Sequence, residues 1–505
     1  MNDQNSGDLA NKVIVTSEEV AETNMTDTVS QPEEATTSEK TVATNTTEPA
    51  EPKASSRKVQ PIRVSTTKRI PVVPLKKSDV VVQLKENPDQ KDSRDTRDTR
   101  NNRDNRDNRD GRDSRDYMDN RDSSQSSDRS IQTITGYLDN SRDGHGVIRR
   151  SLSGEDEMDA YIATSQIKRL RLQSGDLITG PAREPKDNER FWGIVKVDTV
   201  NGRPADELRR NQKVQFQKLT PVYPDSQIKL EMGAEPLDLR IIDMIAPIGK
   251  GQRSLIVSPP KAGKTSLLKN IASGVAKNYP EIHIMAVLVG ERPEEVTDIR
   301  RHIDRITDGK GEVAASNFDE AAKDQCRVAE LALERAKRLV EEGKDVLILL
   351  DSITRLARAY NLAIPTSGRT LSGGFDPAAL FPPKKFFGAA RNFEIQGSLT
   401  IVGTALVETG SRMDDLVYEE FKGTGNQEIH LDRRLAERRI FPSIDVQRSG
   451  TRRDDLLISG ADYLSLTTLH RMLDMLDKDQ RTQTMIENLK KTKSNKEFLA
   501  SLKNG

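Results

Sequence analysis

One short segment near the middle of the chain limits its fold more than any other feature. Ser254-Leu255-Ile256-Val257 is an apolar run, and Ser258-Pro259-Pro260-Lys261-Ala262-Gly263-Lys264-Thr265 follows it directly. Ser266-Leu267-Leu268-Lys269 can then open a helix. A strand that enters a tight loop ending Gly-Lys-Thr and leaves as a helix aims backbone N–H groups at a polyphosphate. Lys264 then reaches the outer phosphates, and Thr265 offers a hydroxyl to magnesium. Such a unit belongs to a parallel α/β sheet. The strict pattern starts with Gly where this chain has Ser258, and Gly-Lys-Thr alone is a weak signal. The strand before it and the helix after it give the match its weight.

The neighbouring sequence supplies the rest of such a sheet. Apolar runs at 282–289, 346–350 and 398–406 alternate with helical stretches. Over 327–342, Val328, Leu331, Ala332, Leu339 and Val340 trace a helical apolar face that Gly343 ends. The run at 346–350 meets Asp351, the place for a magnesium-orienting acid, although any strand meeting a loop can end in Asp. The run at 282–289 meets Gly290-Glu291-Arg292-Pro293. On the carboxyl margin of a parallel sheet Glu291 can polarise water for attack on a γ-phosphate. It can equally be a surface glutamate ahead of a helix opened by Glu294 and Glu295.

The remainder of the chain divides by texture. Hydrophobic residues make up 34% and charged residues 31%, too polar for a chain that is globular throughout. Residues 1–130 hold the excess. From Arg94 an Arg-Asp-x pattern recurs with period three, which fits neither helix nor strand and offers no face to bury. A disordered arm is expected there, read as a zwitterionic spacer or as a weak RNA-binding or self-associating arm. Residues 131–219 alternate short apolar segments with Gly, Pro and Asp turns, the pattern of a small β barrel. A linker is expected at 220–236, and the α/β domain over 237–505. Lys+Arg 79 balances Asp+Glu 79, so any case for nucleic acid is local. A single cysteine, Cys326, excludes a disulfide framework. The longest apolar run is too short to cross a bilayer and the N-terminus is unlike a secretory signal, so a cytoplasmic protein with no membrane partner is expected.

Several ordered motifs carry a family resemblance. Residues 258–265, Glu-Arg-Pro-Glu-Glu-Val-Thr at 291–297, and Leu-Leu-Asp-Ser-Ile-Thr-Arg-Leu-Ala-Arg-Ala-Tyr-Asn at 349–361 are similar to bacterial transcription termination factor Rho. So are Phe-Phe-Gly-Ala-Ala-Arg-Asn at 386–392, Tyr-Glu-Glu-Phe-Lys-Gly-Thr-Gly-Asn at 418–426, and Arg-Ser-Gly-Thr-Arg at 448–452. The resemblance covers roughly residues 131–505. It implies a RecA-like ATPase domain preceded by an oligonucleotide-binding, cold-shock-like barrel, assembled as a homohexameric ring. That ring would use ATP and Mg2+ to pull single-stranded RNA, unwind RNA–DNA hybrid and release transcripts from RNA polymerase.

Residue by residue, the resemblance implies that Ser258, Pro259, Pro260, Lys261, Ala262, Gly263, Lys264, Thr265 and Ser266 hold phosphates, with Thr265 and Asp351 on the metal. Glu291 would activate water, Arg452 would be an arginine finger for the neighbouring subunit, Arg439 a second interface arginine, and Phe441 the adenine stack. Arg369, Thr370, Arg412 and Lys422 would line the pore. In the barrel, Arg149, Tyr161, Lys168, Arg169, Phe191 and Lys196 would hold RNA. His145 and Val147 stand where the family has two phenylalanines, so weaker or altered base preference is expected. Set against the family pattern, the chain is several residues longer between Glu295 and Glu312, an insertion carrying 300–310 that either changes coupling or adds a contact or is a tolerated surface extension, and the helical subdomain that usually precedes the barrel is not evident. Two alternatives stay open: an RNA-binding regulator with a weakened motor, and another RecA-like ring ATPase.

Overall fold

The computed structural model describes residues 130–140, 144–208, 214–395 and 397–502; the Arg-Asp-x arm lies outside them. Strands β1 (Ile131–Asn140), β2 (Gly146–Arg149) and β3 (Ala160–Ile162) lead to helix α1 (Thr164–Leu170). Strands β4 (Leu177–Arg183), β5 (Trp192–Ile194), β6 (Thr199–Val200) and β7 (Arg203–Pro204) follow, then α2 (Ala205–Leu208). β1 pairs with both β2 and β4, and β2–β3, β3–β5 and β4–β5 pairings complete a closed ring of five strands. Alternate residues point inward, so Ile134, Leu138, Ile148, Ala160, Ile162 and Ile178 fill the interior.

The second half begins with β8 (Pro221–Val222), α3 (Leu237–Ile245), β9 (Arg253–Ser258), α4 (Lys264–Asn278), β10 (His283–Glu291) and α5 (Pro293–Ile306). It continues through β11 (Glu312–Asn317), α6 (Ala322–Glu341), β12 (Val346–Asp351), α7 (Ile353–Ala363), α8 (Phe381–Phe387), β13 (Asn392–Phe393) and β14 (Leu399–Leu406). α9 (Arg412–Lys422), β15 (Gln427–His430), α10 (Arg433–Glu437), β16 (Gly450–Thr451), α11 (Gly460–Asp474), α12 (Lys478–Leu489) and α13 (Asn495–Ser501) complete it. The sheet order is β11-β10-β12-β14-β9-β15-β16, parallel except for β16. Its strands read as unbroken apolar runs because both faces are covered. Ile256, Leu288 and Leu349 face α3, α4 and α5, whereas Val257, Val287 and Leu350 face α6 and α7.

Some boundaries differ from expectation. α4 opens at Lys264, inside the phosphate motif, because Gly263 takes a left-handed φ of 92° as its N-cap. α6 begins at Ala322 rather than 327, since its first turn buries no residue and carries Asp324. The expected linker at 220–236 is built into the α/β body: β8 pairs with β13, and Ile228 and Leu230 are buried in its core. Phe216, expected in the barrel, stacks edge-on against Phe393 at 5.1 Å. Residues 300–310 form the second half of α5 and its turn, where His302 Nε2 meets Ser273 Oγ at 3.0 Å.

Polar contacts seat the barrel on α6 and on β11 at the sheet margin. Tyr137 Oη donates to Glu312 Oε1 (3.2 Å), and Arg335 Nε donates to the same oxygen (3.0 Å). Ser153 Oγ donates to Val313 O (3.2 Å) and accepts Ala315 N–H (3.0 Å). Gly175, at φ 84°, lets its backbone lie where a Cβ would come within 2.4 Å of Arg335 N. At the other end of the body, the fully buried Arg240 of α3 donates to Leu489 O (3.0 Å), Thr492 O (2.8 Å), Thr492 Oγ1 (2.8 Å) and Asn495 Oδ1 (3.1 Å).

Candidate active site and nucleic-acid interface

Parallel strands bring their carboxyl ends to one margin, and there the chemistry-bearing residues of β9, β10 and β12 converge. Lys264 Nζ lies 2.6 Å from Asp351 Oδ1 and 3.4 Å from Glu291 Oε1. Asp351 is 1% exposed and Glu291 2%. Thr404 Oγ1 donates to Asp351 Oδ1 at 2.8 Å, whereas Asp351 Oδ2 is buried with no hydrogen-bond partner. Burial lowers the Lys264 ammonium, but Asp351 and Glu291 together outweigh it and hold it above its ordinary value. Burial and the Asp351 charge push the Glu291 carboxyl up, to about 7. Arg355, one turn into α7, reaches Glu291 at 3.1 Å. The sequence reading passed over Arg355, although it lies within the quoted 349–361 motif.

Around this centre the phosphate loop is open. Ser258 is buried, its Oγ donating to Pro259 O at 2.9 Å, so the side chain in place of Gly turns back onto the loop. Pro259 and Ala262 are buried, Pro260, Lys261 and Ser266 exposed. Lys261 (φ 64°) and Gly263 (φ 92°) curl the backbone ahead of α4. Ser443 Oγ donates to Ala262 O at 2.7 Å, tying the loop to the Phe441 segment. Beside it opens a cleft of about 600 Å³ walled by Gly263, Ser266, Asn270, Asp238, Phe441 and Lys490. The residues present fit a magnesium ion. Thr265 stands in the first turn of α4, the unpartnered Asp351 Oδ2 is the kind of hard oxygen such an ion takes, and one carboxylate plus substrate phosphates is its usual shell.

Other predicted residues lie apart from this cluster. Arg452 is exposed, and its N–H donates to Asn426 O beside the amino end of β9, the opposite end from the phosphate loop. Arg439, at φ 61°, is exposed just ahead of the half-exposed Phe441. Arg369 and Thr370 are exposed on a loop whose Gly373 lies against Met413 at the start of α9. Arg412 opens that helix and Lys422 ends it, its ammonium 5.6 Å from the Tyr418 ring. Arg358 of α7 grips the buried Asp414 of α9 (Nε 2.9 Å, Nη2 2.6 Å), so one helix runs from beside Asp351 to the base of this loop pair.

On the barrel, Tyr161 is 42% exposed, with its ring 5.8 Å from His145 and Val147 directly opposite in register. Phe191 lies under the guanidinium of Arg190 at 5.2 Å; sequence reading passed over Arg190, whose only local signal was its position beside an aromatic. Lys168 and Arg169 are exposed in the last turn of α1, and Lys196 is exposed 3.6 Å from Asp198. Arg149 is the buried member of the group. It is 7% exposed and bonded to the fully buried Asp159 at 2.7 Å, with Asp139 and Glu155 within 3.7 Å. Its guanidinium also lies 6.0 Å from the Phe191 ring.

Two family models match. One described as "ATP synthase alpha/beta family, nucleotide-binding domain" covers residues 238–451, and one described as "Rho termination factor, RNA-binding domain" covers 134–206. The transcription termination factor Rho of Bacillus subtilis (strain 168) is 54% identical over 356 residues, which is 70% of this chain and 81% of that protein. That of Pseudomonas fluorescens biotype C is 51% identical, over 73% of this chain and 87% of its own length. That of Streptomyces lividans is 52% identical over 73% of this chain, which spans about half (51%) of that longer relative. Among solved structures, an ATPase from the type III secretion system of pathogenic bacteria aligns with 57% of this chain and 86% of its own, at 24% identity and a TM-score of 0.48.

Proposed function

The chain belongs to the transcription termination factor Rho family, and we propose how its residues divide the work of an RNA-dependent ATPase and helicase that terminates transcription. One observation carries the reading: the Lys264 ammonium bridges Asp351 and Glu291 at the carboxyl ends of β9, β12 and β10, within one compact unit that also holds the RNA-binding barrel.

Without substrate, Lys264 neutralises two buried carboxylates. A polyphosphate entering the loop offers it a stronger partner, and the backbone N–H groups of 261–265 close around the phosphates. Glu291 is then released from the ammonium and held by Arg355, with a carboxyl whose raised affinity for protons suits a group that takes one from attacking water. Magnesium, held by Thr265 and Asp351 Oδ2, would supply charge neutralisation on the phosphates. Arg452 is remote from its own chain's phosphate loop, which supports a role on a neighbouring subunit's nucleotide in a homohexamer. α7 and the Arg358–Asp414 pair link the Asp351 end of the sheet to Arg369, Thr370, Arg412 and Lys422, where threaded single-stranded RNA would be gripped. Tyr161, His145, Phe191 and Arg190, with Lys168, Arg169 and Lys196, form the first contact with RNA through stacking and backbone charge. The partner that supplies the transcript is the RNA polymerase elongation complex, in the cytoplasm.

The test is ATP hydrolysis by the full chain, with and without poly(C) RNA, read beside particle mass. Strong RNA stimulation in a hexamer is expected, and Lys264→Ala abolishes it while RNA binding persists. Hydrolysis indifferent to RNA, or carried out equally well by single chains, refutes the reading. The barrel beside the motor and the intact Lys264–Asp351–Glu291 cluster leave neither an RNA-binding regulator with a weakened motor nor another RecA-like ring ATPase favoured.

A further inference from the structure

The amino ends of β9, β14 and β15 lie at the margin opposite the phosphate loop, and three arginines gather there. Arg253 opens β9, with its N–H on Asn426 Oδ1 at 2.8 Å. Arg452 follows β16, and its N–H donates to the carbonyl of that same Asn426 at 2.9 Å. Arg391 precedes β14 and exchanges both backbone hydrogen bonds with Leu399, each at 2.9 Å. Arg253 Nη1 donates to the carbonyl of Ala390, the residue before it, at 3.2 Å. Gly251 sets the spacing: a Cβ there would stand 2.1 Å from Asn392 N, so the 391–392 backbone is pressed onto the turn that leads into β9.

Like charges held this close need a reason. Arg253 Nε and Nη1 and Arg391 Nε donate to backbone carbonyls, those of Thr424, Ala390 and Gly388, rather than to carboxylates. The adjacent Arg453 is treated differently, its Nε held 3.0 Å from Asp455 Oδ1. Burial, and then the charges of Arg391 and Arg452, lower the Arg253 guanidinium below its ordinary value, as expected where cations gather with no anion between them. Arg253 has a structural duty, since it clips the 390 and 424 segments together. Arg391 and Arg452 are exposed and stand free of such a duty at their tips. Two exposed guanidiniums ahead of a third that is fixed make a site for an anion of more than one charge, such as a phosphoryl group.

We propose that Arg391 is a second arginine acting across the subunit boundary: with Arg452 it bonds the terminal phosphate of the nucleotide held by the adjacent subunit, while Arg253 keeps the two at a fixed spacing. This rests on the ring-ATPase reading above and adds to it a residue that the phosphate chemistry of a single chain does not reach. Charge grows on the phosphoryl oxygens in transit, and two fixed guanidiniums neutralise more of it than one. Arg391 left no signal of its own in the sequence, because an arginine after an apolar helix end has an ordinary explanation.

The experiment uses the full chain with saturating poly(C) RNA. Arg391→Gln is expected to lower kcat for ATP about tenfold or more while KM, RNA affinity, particle mass and melting temperature stay as in wild type, since the side chain is exposed and acts on charge that develops in the transition state. A smaller loss overturns the inference, as does a loss confined to RNA affinity or accompanied by loss of the hexamer. Mixed rings then test the boundary. Neither Arg391→Gln nor Lys264→Ala alone should trap ADP with aluminium fluoride, a mimic of the phosphoryl group in transit. In rings assembled from equal amounts of the two, an Arg391→Gln loop served by a Lys264→Ala neighbour is complete, so about a quarter of the sites should trap it. No trapping in the mixed rings overturns the inference, because Arg391 would then serve its own chain. Wild type that neither hydrolyses ATP nor traps the mimic overturns the ATPase reading and this inference with it, so the two failures are told apart.

Discussion

Arg240→Met tests how the C-terminal helices are held. The guanidinium is fully buried in α3 and satisfies two backbone carbonyls, a hydroxyl and an amide oxygen from residues 489–495. Methionine keeps most of the apolar stem but none of the donors. Four hydrogen bonds at a net of about 1 kcal/mol each, with acceptors left in a dry pocket, give a loss of about 3–5 kcal/mol. Most of that loss falls on one contact surface, since the four closest acceptors belong to the end of α12, the turn after it and the start of α13. Local opening of 478–501 should therefore become about 150- to 4000-fold more frequent. Amide hydrogen exchange of the intact variant measures it directly. The expected result is faster exchange across 478–501, with β9, β10, β12 and the barrel unchanged. A uniform loss of protection over the whole chain, or a change below about tenfold at 478–501, would refute the reasoning.

Four other outcomes follow from the geometry. Because burial and Asp351 push the Glu291 carboxyl of the ligand-free protein up to about 7, and water activation needs its ionised form, RNA-stimulated kcat/KM should fall as pH drops through about 7 and level off above it. A rate that stays flat down to pH 5.5 contradicts that role. Arg149→Met strands the buried Asp159 and should cost the barrel about 3–5 kcal/mol in thermal or denaturant unfolding. Tyr161→Ala leaves stability nearly unchanged yet weakens RNA binding by about 5- to 150-fold, the worth of one stacked base; equal effects of the two variants on melting would be inconsistent with their burial. Gly175→Ala forces a Cβ into the α6 backbone from a left-handed φ, so exchange at α6 amides should quicken while RNA affinity is kept, and unchanged protection there defeats the reading.

What the sequence made legible was whatever is encoded by neighbours. The strands around 254–257, 346–350 and 398–406 were visible because a buried parallel strand is a continuous apolar run, and the phosphate loop because its residues act on one ligand together. Asp351 and Glu291 were visible as the residues at which such runs stop. The Arg149 ion pair is not legible in the sequence because its partner, Asp159, is brought across the barrel by β2–β3 pairing, which a basic residue on a strand does not announce. Arg240 meets Leu489 and Asn495 from roughly half the chain away, and Asp238 meets Asn270 across two helices. Such contacts exist only once the fold has formed. The stretch 220–236 looked like a linker because its apolar residues are few, yet Ile228 and Leu230 each fill a complete site in the core.

The single hydroxyl of Ser153 has a consequence beyond joining two halves. β11 has a partner strand on one side only, and Ser153 satisfies a carbonyl and an amide on the other. A motor half expressed without residues 131–208 would carry that row bare, a ready template for a second copy to add its own strand. Such a fragment is expected to aggregate through backbone pairing, and the RNA-binding half doubles as the guard that keeps the sheet from growing.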